Sequence, residues 1–121
     1  MQSNADKVAR MMGCWQQDIP LYPTTMCKDT QALRLRLITE EFNEVVEAFE
    51  TGQTIPEVAK ELCDLLVVTY GTLLTMGVNP DYAFNLVHCS NMSKLDKDGR
   101  PVRRADGKVL KGENYRPPTM E

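Results

Sequence analysis

The sequence predicts an all-α protein, a four-helix bundle that is completed by oligomerisation and extended by a basic C-terminal arm. Apolar residues recur at helical spacing as far as about residue 92, and Pro and Gly residues interrupt the pattern. The last segment contains too few apolar residues to form a core. A chain of 121 residues accommodates one domain. Within it we place a helical part at residues 1–94 and an arm at residues 95–121.

The first helix is expected to start near its N-terminal capping residue, Asn4 or Asp6, and to continue to about Gln17. Pro20 prevents the helix from continuing, and residues 18–28 are expected to form a loop.

The second helix is expected to be capped by Asp29 or Thr30 and to end near Phe49, shortly before Gly52. Its apolar residues follow a three-to-four period, which indicates an amphipathic helix.

The third helix is expected to start after Thr54, which is followed by Pro56 in the first turn, and to end near Met76. Between residues 62 and 74 it is apolar almost all the way round, so it should be buried on several sides. Three other helices of one chain can hardly cover such a helix, and we therefore expect a homodimer or homotetramer. Pro80 should open a fourth helix that ends near Met92.

The arm contains two Asp-Gly turns that flank Val102 and Val109, which is typical of a short hairpin or an extended segment. The charge of the chain is uneven. The net charge is −3, but residues 1–93 carry 6 Lys and Arg against 12 Asp and Glu, and residues 94–121 carry 8 against 5. The acidic and basic parts are therefore expected to face one ligand.

The four cysteines are widely and irregularly spaced, without a Cys-x-x-Cys pair, which argues against both thiolate zinc and a disulfide framework. The start of the chain lacks the apolar segment of a signal peptide, and no run approaches the roughly 20 apolar residues that span a bilayer. The sequence therefore predicts a cytoplasmic protein with no membrane partner.

Four carboxylates stand out because each pair shares one helix face. Glu41 and Glu44 lie three residues apart on the second helix, and Glu61 and Asp64 lie three apart on the third. The short connection between the helices favours antiparallel packing, which would bring the pairs together. An acidic surface facing solvent would explain the first pair alone, but the second pair interrupts an apolar run.

Ionised carboxylates gathered in a partly buried place require a positive partner. Oxygen ligands without Cys or His favour Mg²⁺, with Mn²⁺ as the alternative, over zinc. Mg²⁺ is usually held by a few carboxylates together with substrate phosphates, so the expected substrate carries phosphate groups.

The pattern from Glu40 to Asp64 resembles the EExxE…ExxD signature of the MazG-like all-α nucleoside triphosphate pyrophosphohydrolases, a superfamily that includes dimeric dUTPases and phosphoribosyl-ATP pyrophosphohydrolases. The resemblance covers roughly residues 5–116, and the arm is similar to that of short single-domain members from bacteria and phages. It implies a four-helix MazG-like bundle that hydrolyses the α–β phosphoanhydride of a nucleoside triphosphate to the monophosphate and pyrophosphate.

The resemblance also implies roles for individual residues. The four carboxylates Glu41, Glu44, Glu61 and Asp64 match metal ligands for two or three ions per site. Glu40 matches a catalytic position that orients the attacking water or binds a further ion. The metals would neutralise the triphosphate and activate water, with a carboxylate as base.

Basic and polar residues near the end of the chain are candidates for binding phosphate. Asn91 and Lys94 lie one helical turn apart, and short superfamily members are similar at these positions. In the arm, Lys108, Lys111 and Tyr115 could fold over the β and γ phosphates, although a solvated basic tail would have the same composition.

The N-terminal helix and following loop help to form the base pocket in this superfamily. The candidates for contact with the base are therefore Trp15, Gln16, Asp18 and Ile19, although a lone tryptophan also fits a core position. The only histidine, His88, is interpreted as structural because metal-assisted hydrolysis needs no imidazole base.

The resemblance favours ordinary nucleotides, with deoxypurines such as dGTP preferred, over phosphoribosyl-ATP or dUTP. Two other classes of protein stay open: a nucleic-acid-binding module that uses the basic arm, and a regulatory bundle that holds metal without turnover. The acidic body and the lack of an aromatic platform argue against nucleic acid.

Overall fold

The computed structural model describes residues 1–120 and confirms the all-α class. The helices are α1 (Asn4–Cys14), α2 (Lys28–Glu50), α3 (Ile55–Thr75) and α4 (Pro80–Met92), and they are followed by strands β1 (Val102–Arg103) and β2 (Val109–Leu110). The chain forms two compact units, Met1–Pro80 and Asp81–Glu121, so that α4 belongs with the arm rather than with α1 to α3. Completion of the bundle by other subunits stays a prediction.

Helix α1 differs from the prediction at both ends. Its N-cap is Ser3 rather than Asn4 or Asp6, and Asp6 instead completes a capping box. The Asp6 amide donates to Ser3 Oγ at 3.1 Å, and the Ser3 amide donates to the Asp6 carboxylate at 3.0 Å. The helix ends at Cys14 and not at Gln17, because Gln16 adopts a left-handed φ of 59° that cannot continue it.

Helix α2 starts two or three residues earlier than expected, at Lys28, and Asp29 and Thr30 lie in its first turn instead of capping it. The N-cap is Cys27, whose side chain makes no capping hydrogen bond. Helix α3 follows the prediction closely: Thr54 Oγ1 accepts from the Glu57 amide at 3.4 Å, and the Glu57 carboxylate accepts from the Thr54 amide at 3.0 Å.

The small core of the first unit joins α1 to α3 through Val8, Met12 and Leu74. Within residues 1–120 no large side chain is fully buried, so this core is incomplete in a single chain. On α3, Leu62 is 42% and Leu66 50% exposed, although this helix is the most apolar in the sequence. Apolar side chains of α2 are also exposed: Leu33, Leu35, Phe42 and Phe49.

The second unit ties the arm back to α4. The Ser90 hydroxyl donates to the Arg116 carbonyl at 2.7 Å, and the Arg116 amide donates to Ser93 Oγ at 2.8 Å. Strands β1 and β2 pair antiparallel, with Val102 opposite Leu110, so the arm contains a short hairpin, one of the two forms expected from its Asp-Gly turns. Both serines are buried, and the arm is therefore an ordered part of this unit.

No single helix within residues 1–120 is long and apolar enough to cross a membrane, although α3 and α4 taken together would be by length and composition.

Candidate metal centre and adjoining cavity

Four carboxylates of α2 and α3 form one cluster. Glu41 and Glu44 come from α2 and Glu61 and Asp64 from α3, and one oxygen of each lies within 4.8 Å of the others. The helices run antiparallel, since residues 41 and 44 meet residues 61 and 64 while Arg34 meets Thr72. The grouping predicted from the spacing of these residues is thus observed.

The cluster is electrostatically unsatisfied without a cation. The Oε2 atoms of Glu41 and Glu61 are enclosed, and neither has a hydrogen-bond partner among residues 1–120. Burial raises the pKa of the Glu41 carboxyl, and hydrogen bonding and repulsion from Glu44, followed by repulsion from Asp64 and Glu61, raise that pKa further. Enclosed, unpartnered carboxylate oxygens at this spacing fit a hard divalent cation such as Mg²⁺ or Mn²⁺.

Lys60 supplies part of the missing positive charge. Its ammonium group lies 2.7 Å from Asp64 Oδ2 and 3.5 Å from Glu61 Oε1. These carboxylates raise the pKa of Lys60, mainly through the hydrogen bond to Asp64. The lysine side chain is mostly exposed, so solvent weakens the interaction and the ammonium can swing away.

Glu40, the predicted catalytic residue, lies next to Glu41 on α2 but outside the cluster. Its side chain is exposed. It is therefore free to meet water beside the cluster, while the four clustered carboxylates face one another.

A cavity of about 330 Å³ adjoins the cluster and is enclosed by α1, α2 and α3. Glu41 and Asp64 lie on one part of its wall, and Trp15 and Gln17 lie on another. Apolar side chains line the rest, including Met11, Met12, Leu37 and Val67. A mostly apolar cavity of this size with a few polar groups is typical of a small-molecule site.

Of the four candidate base-binding residues, Trp15 alone lines this cavity. Trp15 lines this cavity and is 62% exposed, so it is not a core residue. Gln16 and Asp18 are exposed and do not line it. Ile19 lines a different cavity of about 250 Å³ and packs against the core of Val8, Met12 and Leu74.

Sequence reasoning missed Arg34, which is only 8% exposed. Its Nε donates to Thr72 Oγ1 at 3.0 Å and its Nη2 to the Val68 carbonyl at 2.9 Å, so it joins α2 to α3. The available signal was its position seven residues, about two helical turns, before Glu41, which places both on one face of α2. Burial lowers the pKa of the guanidinium, and no carboxylate within residues 1–120 forms an ion pair with it.

The candidate phosphate-binding residues all lie in the second unit. Asn91 is exposed in the last turn of α4, whereas Lys94 lies two residues beyond the helix end, which is at Met92 as expected. Lys108 is exposed in the turn of the hairpin, just before β2, and the Lys111 ammonium lies 4.7 Å from the centre of the Tyr115 ring. His88 is exposed on α4.

A protein-family model matches most of this chain. The sequence model of phosphoribosyl-ATP pyrophosphohydrolase matches residues 6–91. A search of curated proteins gave no match. Among solved structures, a "putative NTP pyrophosphohydrolase" from Exiguobacterium sp. 255-15 is 24% identical to this chain. The alignment covers 98% of this chain and 90% of that one, with a TM-score of 0.46.

Proposed function

The chain belongs to the phosphoribosyl-ATP pyrophosphohydrolase family of the MazG-like superfamily, and we propose that it is a metal-dependent nucleoside triphosphate pyrophosphohydrolase. The reaction is hydrolysis of the α–β phosphoanhydride, which yields a nucleoside monophosphate and pyrophosphate. The observation that supports it is the four-carboxylate cluster with two enclosed, unpartnered oxygens beside a mostly apolar cavity.

The clustered carboxylates would hold two or three Mg²⁺ or Mn²⁺ ions. When bound, these ions supply the positive charge that neutralises the triphosphate and stabilises charge developing in the transition state. The cluster belongs to two helices that the hydrogen bonds of Arg34 to Thr72 and Val68 keep in register. The ligand oxygens are therefore positioned before the substrate arrives, which reduces the reorganisation that catalysis requires.

Glu40 is proposed to accept the proton of the attacking water. The exposed carboxylate is adjacent to the cluster yet outside it, so it keeps its oxygens available for a proton. We expect Glu40→Gln to lower kcat about 100-fold or more while metal affinity changes little. Equal loss of kcat and metal affinity would instead identify Glu40 as a metal ligand.

The substrate is proposed to be an ordinary nucleoside triphosphate, with deoxypurines such as dGTP preferred and Trp15 in contact with the base. Phosphoribosyl-ATP is the second candidate, and the description of the matching family favours it. In the second unit, Asn91, Lys94 and the arm residues Lys108, Lys111 and Tyr115 are proposed to contact the phosphates. The partner we propose is thus a nucleotide in the cytoplasm, and not nucleic acid or a membrane.

A homodimer or homotetramer is proposed because a single chain leaves too much apolar surface uncovered. No large side chain within residues 1–120 is fully buried, so the core of α1 to α3 needs a subunit interface to complete it. The exposed leucines and phenylalanines of α2 and α3 would supply its apolar contacts. Sedimentation or light scattering at assay concentration would measure the assembly, and a monomer would contradict it.

One panel tests the proposed activity. The protein is incubated with each ribo- and deoxynucleoside triphosphate and with phosphoribosyl-ATP, in Mg²⁺, Mn²⁺ or EDTA, while monophosphate and pyrophosphate are measured. We expect turnover only with metal, and loss of turnover in Glu44→Gln and Asp64→Asn with helicity retained. Glu47→Gln, an exposed glutamate of α2 outside the cluster, is the matched control. If none of these compounds is hydrolysed, the enzyme proposal is refuted, and a regulatory bundle that holds metal without turnover is favoured.

A further inference from the structure

Arg34 holds hydrogen-bond donors that the protein itself does not use. An arginine has five N–H groups, and the contacts with Thr72 and Val68 occupy one on Nε and one on Nη2. Both lie along the same edge of the guanidinium, which faces α3. The other Nη2 hydrogen and the two on Nη1 have no hydrogen-bond partner within residues 1–120, and the outer pair forms a parallel fork.

Arg34, Val68 and Gly71 all line the cavity that adjoins the carboxylate cluster. Arg34 also lines a second cavity, of about 490 Å³, on the side of Thr72 and Met76. A Cβ atom on Gly71 would lie 2.6 Å from Arg34 Nη2, so the glycine makes room for the guanidinium. Among residues 1–120, no nitrogen of Arg34 is both enclosed and without a partner, so the unpaired donors remain accessible to a ligand that supplies acceptors.

The carboxylates and Arg34 lie at different places along the cavity wall, so each would contact a different part of a bound nucleotide. Arg34 lies seven residues before Glu41 on α2, which is about 10 Å along the helix axis. Apolar side chains, among them Leu37 and Val67, line the wall between. The carboxylate end suits the metal-bound triphosphate, the apolar middle suits a flat ring, and the arginine end suits the polar edge of that ring.

We propose that Arg34 reads the nucleobase and selects 6-oxopurines, the class that includes guanine and hypoxanthine. This inference rests on the proposed hydrolysis of nucleoside triphosphates and names the base on which that site acts. Guanine and hypoxanthine present two adjacent acceptors, O6 and N7, which match a guanidinium fork. Adenine presents an amino donor in place of O6 and would place one N–H group facing another. Such a mismatch costs more than a missing contact, because the Arg34 N–H would exchange water for a group that cannot accept its hydrogen bond.

The experiment measures kcat/KM for dGTP, dITP, dATP and 7-deaza-dGTP, which keeps the shape of dGTP but lacks the N7 acceptor. The wild-type protein is expected to prefer dGTP and dITP over dATP by about tenfold or more, and to lose about tenfold on 7-deaza-dGTP. Arg34→Lys keeps the charge but removes the fork. The ratio of kcat/KM for dGTP to that for dATP, and the ratio for dGTP to that for 7-deaza-dGTP, should therefore both approach one. Gly71→Ala should move the guanidinium and have the same effect on the ratios.

Arg36→Met is the matched control, because Arg36 is an exposed arginine on the same helix and should leave both ratios unchanged. Circular dichroism checks that each variant is folded. The proposal is overturned if wild type hydrolyses dATP or dCTP as well as dGTP, or if the 7-deaza penalty persists in Arg34→Lys.

Calorimetric binding of the same nucleotides separates this proposal from the proposed activity. A dGTP preference in binding that disappears in Arg34→Lys would support the base-reading role even if nothing is hydrolysed. Hydrolysis without any base preference would retain the activity and refute the role of Arg34.

Discussion

Neutralising one member of the carboxylate cluster should have opposite effects on stability with and without metal. In Glu61→Gln, an amide replaces a carboxylate of nearly the same shape whose side chain is 18% exposed. Its ligand oxygen lies within 4.8 Å of three other carboxylates. At an effective dielectric constant of about 20, one such pair repels by about 3.5 kcal/mol. Lys60 and the solvent around Glu44 reduce this value, and we expect a net gain of about 1 kcal/mol in EDTA.

Bound metal should make the wild-type protein more stable than Glu61→Gln, the reverse of the order in EDTA. At a metal concentration of 100 times its Kd, the wild-type protein gains about 2.7 kcal/mol. If removal of one ligand weakens binding about 100-fold, the variant gains only about 0.4 kcal/mol under the same conditions. The variant should therefore melt about 3–5 °C above wild type in EDTA and below it in saturating Mg²⁺ or Mn²⁺.

Thermal melts of both proteins in EDTA and in a metal titration provide the assay. Glu47→Gln controls for the loss of one negative charge elsewhere on α2. Equal melting temperatures in EDTA together with an unchanged metal shift would refute the electrostatic reasoning, because the cluster would then be neither repulsive nor metal-binding.

Three further predictions concern neighbouring features. Because the folded-state pKa of Glu41 is raised, the metal-free protein should lose unfolding free energy as pH rises from about 4.5 towards neutral, and Glu41→Gln should flatten that slope in thermal melts. A slope that is the same in both proteins would exclude Glu41 as its source. Thr54→Ala removes a capping box and should cost about 0.5–2 kcal/mol of unfolding free energy in urea titrations; no change would mean that α3 starts independently of its cap. Lys60→Met removes an ammonium that competes with metal and should tighten Mn²⁺ binding a few-fold by calorimetry, whereas weaker binding would show that Lys60 assists the site.

The sequence predicted the carboxylate cluster well because the relevant geometry is local. Three-residue spacing places Glu41 with Glu44 and Glu61 with Asp64, and the short connection before Thr54 leaves antiparallel packing as the simple arrangement. The start of α3 was also predicted correctly, because its N-cap Thr54 and Pro56 lie close together in the chain. Such features require no knowledge of distant contacts.

Features that depend on tertiary packing were harder to predict. Arg34 was passed over because an arginine in a helix is normally solvated, and only the packing of α3 shows that this one is enclosed. Trp15 fitted a core position by its spacing, yet the chain turns at Gln16 and leaves the indole exposed at the cavity. The end of α1 was misplaced for the same reason, since no residue type announces a left-handed glutamine.

The space beside Gly71 has a consequence for how this sequence can change over time. A side chain at position 71 collides with the guanidinium, and a shorter residue at position 34 leaves an opening beside the glycine. Neither position can therefore vary freely while the other stays constant. Among relatives, a residue larger than glycine at position 71 should accompany a shorter residue at position 34, and under the proposed role of Arg34 this pairing would mark a change of substrate base.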